Sequence, residues 1–498
     1  MIVCQFSEFP SATSCLNGFS INRALGSQAV GKINGVRFRS ATAFLAISAG
    51  LISFNCLEFI LEALKEDFSM TSSETMVVSQ VSSGACLLVV FLVGALADRL
   101  GDRLVLMVAS GAFCVGTSFF AFAQDDTALL IGQSVCGIGT IAMSIIGLSI
   151  LNKNFTEKAQ RAKAFGLFAI VAPVVAVISP LAASLIVAHL GWRWVPALWI
   201  CLGITVLFMA KNSLPHHKVR GEKIELLTPA LAGIALAGIA LTFSFLKVHS
   251  KSSVHADEAL VSFIVGVIAL ILLLGSMRRI SKPTLDFRSL RSKGALPIVM
   301  ALFVVNGVNF FFYTYLMLQY RYHQTLLETA VFLIAPQITA TFGAISGGRL
   351  TARWGSARVA FIALLAASLF SLSALAVSAE SSVWWLVALL SVIAIPIGAG
   401  VGPITQTYME LAPSDGVASA SSFRNSAVNL GIAIGGLAVS TVIFDELDAD
   451  TAQNIEAYRL QADAFHLAGY ICFVAYFIAA MLIVLYSKRR RVESIFAV

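Results

Sequence analysis

The sequence predicts an all-α polytopic membrane protein with fourteen transmembrane helices, organised as two six-helix bundles with two helices inserted between them. Three observations predict it. Of 498 residues 58% are hydrophobic and only 12% charged, where a soluble domain has roughly 25% charged residues. So few charges do not cover a water-facing surface, which excludes soluble enzymes and disordered scaffolds. The apolar residues fall in runs of about 20, the length that crosses a hydrocarbon core of ~30 Å. Finally, the basic residues alternate between the two ends of successive runs.

The runs lie at about 41–64, 76–97, 104–124, 127–151, 164–188, 193–210 and 228–247. They continue at 258–277, 295–318, 328–348, 358–378, 382–406, 417–443 and 466–486. We call them spans 1 to 14. A segment exposed to lipid must satisfy its own backbone hydrogen bonds, and unbroken apolar runs do so as helices. Barrel strands would alternate in polarity.

Lys and Arg in short loops hold those loops in the cytoplasm. Placing both termini there puts 28 of the 34 basic residues on the cytoplasmic side and leaves Lys65, Arg193, Lys247, Lys251, Arg321 and Arg459 opposite. A miscounted span would scramble this alternation downstream. The formal net charge of +7 is thereby accounted for by insertion, and nucleic acid is not an expected partner. The expected location is a cell (inner) membrane, multi-pass. Of the eight cysteines, Cys56, Cys86, Cys114, Cys136, Cys201 and Cys472 lie in apolar runs and Cys4 and Cys15 in the N-terminal segment, so they read as small free side chains. No metal-ligand spacing occurs, and neither a cofactor nor an enzymatic constellation is expected. Residues 1–39 are polar, lack a signal-peptide core and read as a disordered cytoplasmic tail; residues 488–498 form a basic tail.

After span 2 the chain reads Gly94-Ala-Leu-Ala-Asp98-Arg99-Leu-Gly101-Asp-Arg103, and after span 10 Gly348-Arg-Leu-Thr-Ala352-Arg353-Trp-Gly355-Ser-Ala-Arg358. Gly, Leu, Arg and Gly recur at one spacing, the mark of a duplicated bundle. The copies are too far apart for abutting halves, so spans 7 and 8 read as an insertion: a first bundle at 40–210, a linker with two helices at 211–293 and a second bundle at 294–487.

These loops resemble the signature of the major facilitator superfamily. With Gly191-Trp192-Arg193-Trp194-Val195 and Lys282-Pro283-Thr-Leu-Asp286-Phe287-Arg288, residues 40 to 490 resemble its fourteen-helix drug:proton antiporter branch. The resemblance implies the major facilitator fold, two bundles rocking about a central cavity, and spans 1, 4, 9 and 12 lining that cavity. It also shows departures. Gln133 stands where proton-coupled members carry an arginine, Ser53 where the branch often carries an aspartate, and the glycine-rich motif of span 5 is reduced to Gly166, Ser179-Pro180 and Ala183-Ser184.

Glu58 and Glu62 are the acids within an apolar run, and their i,i+4 spacing places both on one face of span 1. An intramembrane carboxylate is costly, its neutral form less so, which makes the pair candidates for carrying a proton; the alternative is an early helix end that leaves them near the outer headgroups. Asp98, between Gly94 and Gly101, is expected to dock on the positive N-terminus of span 13 near Ser421 and Ser422 and to hold the cytoplasmic side shut; Arg99 and Arg103 belong to that motif. In the second copy Gly348, Arg353, Gly355 and Arg358 recur with Ala352 in place of the acid. Arg424 either snorkels to the interface or faces the cavity and attracts anionic groups. Asn306, Asn309, Phe310 and Tyr313 fall on one face of span 9, amides beside flat apolar walls, which suits an amphipathic organic molecule. In span 12, Pro396, Gly398, Gly400, Gly402 and Pro403 are expected to bend or break the helix, with Gln406 nearby. The substrate-cavity candidates are therefore Gln133, Asn306, Asn309, Phe310, Tyr313, Gln406 and Arg424.

The preferred function is a secondary active transporter that exports a small amphipathic compound in exchange for protons, since no Walker A motif offers ATP as the energy source. The alternatives are a substrate-specific porter for a metabolite or siderophore with different coupling, and a transport-inactive receptor or scaffold. The expected partners are the bilayer, a small-molecule substrate and the proton.

Overall fold

A computed structural model describes residues 21–70, 72–155, 157–215, 225–248, 256–279, 285–292, 294–308, 318, 322, 324, 326–378, 380–443 and 455–496. Among these residues the chain is helical with no strand. Each predicted span coincides with helix, although span 9 continues past the described residues after Val308. Among the described residues eleven helices are long and apolar enough to cross a membrane, with Leu227–Phe243 and Ala295–Gly307 as shorter apolar helices.

The named contacts sort into two sets that follow the predicted alternation. On the basic face, Arg39 Nε donates to the Ser213 carbonyl at 3.3 Å and Lys153 pairs with Asp102 at 2.8 Å. On the opposite face, Trp192 Nε1 donates to Asp67 at 3.0 Å, Tyr322 Oη donates to the Ser381 carbonyl at 2.8 Å and His466 Nε2 meets the Val377 carbonyl at 2.6 Å.

Packing runs through small residues, as it must where lipid removes the hydrophobic drive between helices. In the first bundle Gly116 of span 3 packs on Cys136 and Gly132 of span 4, and Gly137 of span 4 on Ser82 of span 2. In the second, Gly347 of span 10 packs on Ala399 of span 12, and Gly435 of span 13 on Gly307 of span 9. The inserted pair crosses at Gly238 and Gly266, and Gly233 seats span 7 on the Leu88 backbone of span 2. The bundles themselves meet where Gly166 of span 5 faces Gly348 of span 10, a Cβ on Gly348 falling 3.0 Å from the Gly166 Cα.

Four expectations are corrected. The N-terminal segment is not disordered throughout, because the first helix starts at Ile21 and runs unbroken to Glu58; Ile21, Leu25, Ala29 and Ile33 recur every four residues with no proline between. Glu58 and Glu62 do not share one continuous helix. That helix ends at Glu58, Phe59 and Ile60 bond to carbonyls three residues back, and Glu62 lies in the separate short helix Leu61–Asp67. The fully buried Ile60 and Leu64 turn this segment across the end of the bundle. Span 9 does not run to 318 as one unbroken helix: it leaves helical geometry after Gly307, with Val308 extended. Span 12 does not break: Val383–Met409 is one helix with Pro396 and Pro403 inside it, its glycines serving as contact points, Gly398 on Ala340 and Gly402 on Phe165.

Candidate functional site

The basic-face closure is built from the end of span 2 and the start of span 13. Span 13 begins at Val417 after the turn at Gly416, and its first amides have no partner within the helix. Asp98 supplies one from the other bundle: Oδ1 accepts from the Ala418 N–H at 2.9 Å and Oδ2 from the Ser419 N–H at 2.8 Å. A carboxylate held by two amides at a helix N-terminus gains from charge-assisted bonding and from the helix dipole together. The docking point is three residues earlier than the expected Ser421 and Ser422, yet those serines belong to the same seam. Ser422 packs on Gly94, leaving no room for a Cβ there, and Ser421 Oγ donates to the Ile145 carbonyl of span 4 at 3.0 Å.

The motif glycines have distinct tasks. Gly101 (φ 90°) and Gly355 (φ 86°) occupy the left-handed region open to glycine and turn the chain from one span into the next at equivalent points of the two copies. Gly94 and Gly348 are close-approach points between the bundles. Arg99 and Arg103 are half-buried beside the latch, whereas Arg353 and Arg358 are exposed. With Ala352 in place of the acid and also exposed, the second copy forms no matching latch.

Several partners were not legible in the sequence. Ser419 Oγ accepts the N–H of Asp286 at 3.3 Å, and Phe287 packs on Phe423 with ring centroids 5.4 Å apart. Arg288 pairs with Asp286 at 2.6 Å and with Asp415 at 2.7 Å. These two carboxylates raise the Arg288 pKa. Asn152 Nδ2 donates to the Met409 carbonyl at 3.3 Å, a further bond between the bundles, and next to it Gln406 Nε2 donates to Glu410 at 2.9 Å. At the opposite face Asp67 ties the end of span 1 to Trp192 and Arg193, which lower its pKa by hydrogen bonding.

The substrate candidates do not converge on one point. Gln133 is buried in the second turn of Asp126–Asn154, toward the opposite face, with Oε1 unpartnered among the described residues. Gln406 is buried in the last turn of span 12, at the basic face, with its own Oε1 unpartnered. Asn306 donates to the Leu302 carbonyl of its own helix at 2.7 Å, and the Val308 carbonyl beyond the helix end is taken by Tyr476 Oη at 3.1 Å. Asn309, Phe310 and Tyr313 lie outside the described residues, as do the side chains of Glu58 and Glu62. Arg424 does not snorkel to the basic face: its guanidinium lies over the Phe168 ring of span 5, 5.4 Å from the centroid. Ser53, in the place of the branch aspartate, meets Thr140 of span 4 at 3.4 Å.

Comparison with known proteins fits this geometry. The family model described as Major Facilitator Superfamily matches residues 43–436. The methylenomycin A resistance protein of Streptomyces coelicolor is 26% identical over 388 residues, covering 77% of this chain and 80% of the relative. The methyl viologen resistance protein SmvA of Salmonella typhimurium is 26% identical, covering 70% and 71%. The puromycin resistance protein pur8 of Streptomyces alboniger is 25% identical, covering 78% of each. Among solved structures, the human organic anion transporter MFSD10 superposes with a TM-score of 0.59 at 16% identity, over 88% of this chain and 99% of that one. The proton:xylose symporter XylE superposes at 0.60 and 12% identity, over 88% and 95%. A chain that this family model matches over residues 43–436, most of its length, belongs to the major facilitator superfamily.

Proposed function

We propose that the protein is a secondary active transporter of a cell (inner) membrane, both termini cytoplasmic, that exports small amphipathic organic compounds by alternating access in exchange for protons. The single observation that carries this reading is the Asp98 bridge to Ala418 and Ser419. A bond that joins the two bundles at one face, and must break for that face to open, is what a rocking transporter needs and what a rigid scaffold does not. The resistance functions named for the relatives supply the direction, outward, and the class of cargo. Spans 7 and 8 are an insertion between two six-helix bundles.

Glu58 and Glu62 are the proposed proton carriers, at the outer end of span 1. A substrate-specific porter with different coupling is favoured by one observation, the buried and unpartnered Gln133 in place of a positive charge. Reconstituted vesicles distinguish these readings. An acid-inside pH gradient should drive uptake of an amphipathic dye into inverted vesicles and dissipate as the dye moves, and Glu58→Gln should abolish uphill movement while sparing exchange. Uptake with no accompanying proton movement returns the porter; no movement of any compound returns the scaffold.

A further inference from the structure

Arg424 is a positive charge inside the membrane-spanning region that the closure does not use. It lies in the second turn of Val417–Ile443, roughly 10 Å from the basic end at 1.5 Å per residue. Its helix face points at the other bundle: Ser421, one turn earlier, bonds to Ile145 of span 4, and the guanidinium itself lies over Phe168 of span 5. From Gly416 to Ala427 every residue is buried except Arg424, which keeps intermediate exposure. It alone keeps accessible surface at a depth where its neighbours are sealed.

The charge is under-compensated. Nη1 donates to the Asn425 Oδ1 at a long 3.3 Å, Nε is buried with no hydrogen-bond partner, and among the described residues no carboxylate pairs with it. A guanidinium offers five donors in a planar fork matched to a carboxylate or sulfonate, and an intramembrane charge with no carboxylate against it marks a substrate or ion path. A site for an organic cation would need an acid here, and the intramembrane acids of span 1 sit toward the opposite face.

Resting on the transporter reading above, we propose that Arg424 anchors an anion subsite at the inner end of the cavity. It takes the carboxylate or sulfonate of an amphipathic organic anion, whose apolar body lies along Phe168.

The test uses the full chain in vesicles of phosphatidylcholine alone, with fluorescein as the anionic probe and ethidium as the cationic one, under an imposed pH gradient. Saturable fluorescein transport is expected, and Arg424→Gln should weaken its apparent affinity by about tenfold or more, the size of a lost charged hydrogen bond. Arg424→Lys should recover part of that loss, and any ethidium flux should survive both substitutions. Because these vesicles hold no anionic lipid, fluorescein movement in them separates a translocated anion from a bound headgroup. Ethidium transport without fluorescein transport overturns the anion subsite and leaves the transporter reading standing, as does an Arg424→Gln protein with unchanged fluorescein affinity. Movement of neither probe overturns both. Should Arg424→Gln fail to fold, inhibition of fluorescein transport in the unsubstituted protein decides: a benzoate should compete and its methyl ester should not, and equal competition overturns the proposal.

Discussion

Asp98 on span 2 accepts the Ser419 amide of span 13 at 2.8 Å, and the hydroxyl of that same Ser419 accepts the amide of Asp286 in the segment ahead of span 9. One residue thus joins the closure between the bundles to the linker that follows the inserted helices. Arg288, paired with both Asp286 and Asp415, holds that linker on the turn that starts span 13.

Asp98→Asn should loosen the closure. The amide side chain keeps one acceptor oxygen and turns an NH2 toward the second helix amide, so one charge-assisted bond, worth about 1.5–3 kcal/mol, is lost. Hydrogen exchange of the amides of Ala418 and Ser419 should quicken accordingly in the purified protein. Unchanged protection there would mean that Asp98 does not hold the face shut.

How much of this was legible depends on the kind of interaction. The spans were legible because hydrophobic length is a property of the segment alone. Asp98 was legible because a lone acid between glycines has few partners other than a helix N-terminus, and span 13 was correctly begun at 417, but the expected docking point at Ser421 and Ser422 lay a turn inside the helix, whereas the amides left free are those of its first residues, Ala418 and Ser419. The break after Glu58 was foreseen only as the alternative of an early helix end, and the one after Gly307 was not foreseen. No proline or polar run marks either of them, and the chain departs there because Ile60 and Leu64 bury across the bundle end and because Gly307 packs against Gly435. Glu410 escaped because it lies just beyond an apolar run, and the partners of Asp286 escaped because an acid in a linker looks like an ordinary loop residue until the fold brings its partners to it.

Arg288→Ala should free the linker without opening the closure. The pairs it removes are exposed on the arginine side and worth about 1 kcal/mol or less, so stability should barely change. Exchange of the amides from 285 to 291 should rise while Ala418 and Ser419 stay protected. Equal loosening of both segments would indicate that the linker is part of the latch itself.

Glycine at close-approach points should be far less replaceable than glycine facing lipid. A Cβ on Gly435 collides with the Gly307 backbone, whereas one on Gly275 meets nothing within 4 Å. Gly435→Ala should cost about 1–3 kcal/mol or more through displaced backbone, read as a lower Tm in detergent. Gly275→Ala should be neutral or slightly stabilising, because alanine is the better helix former.

Asp67 gives the opposite face a pH dependence whose sign is fixed. Hydrogen bonds from Trp192 and Arg193 favour its charged form and depress its pKa in the folded protein. The contribution is therefore present above the ordinary aspartate pKa and fades as the pH falls through the depressed value, below about pH 4. The carboxylate is substantially exposed, so the effect should stay within about 1 kcal/mol. Asp67→Asn should flatten this acid-side fall in Tm; an unaltered slope would place the sensitivity elsewhere.

Gln133 should separate stability from transport. Its Oε1 is buried without a partner, and a buried unpaired acceptor costs about 1–3 kcal/mol. Gln133→Met keeps the volume and removes the unpaired atom, so Tm should rise. If the amide is held in reserve for a passing substrate, the same substitution should raise the apparent KM for transport. A higher Tm with unchanged KM would assign Gln133 to packing alone, and a lower Tm would mean that its amide has a partner in the native state.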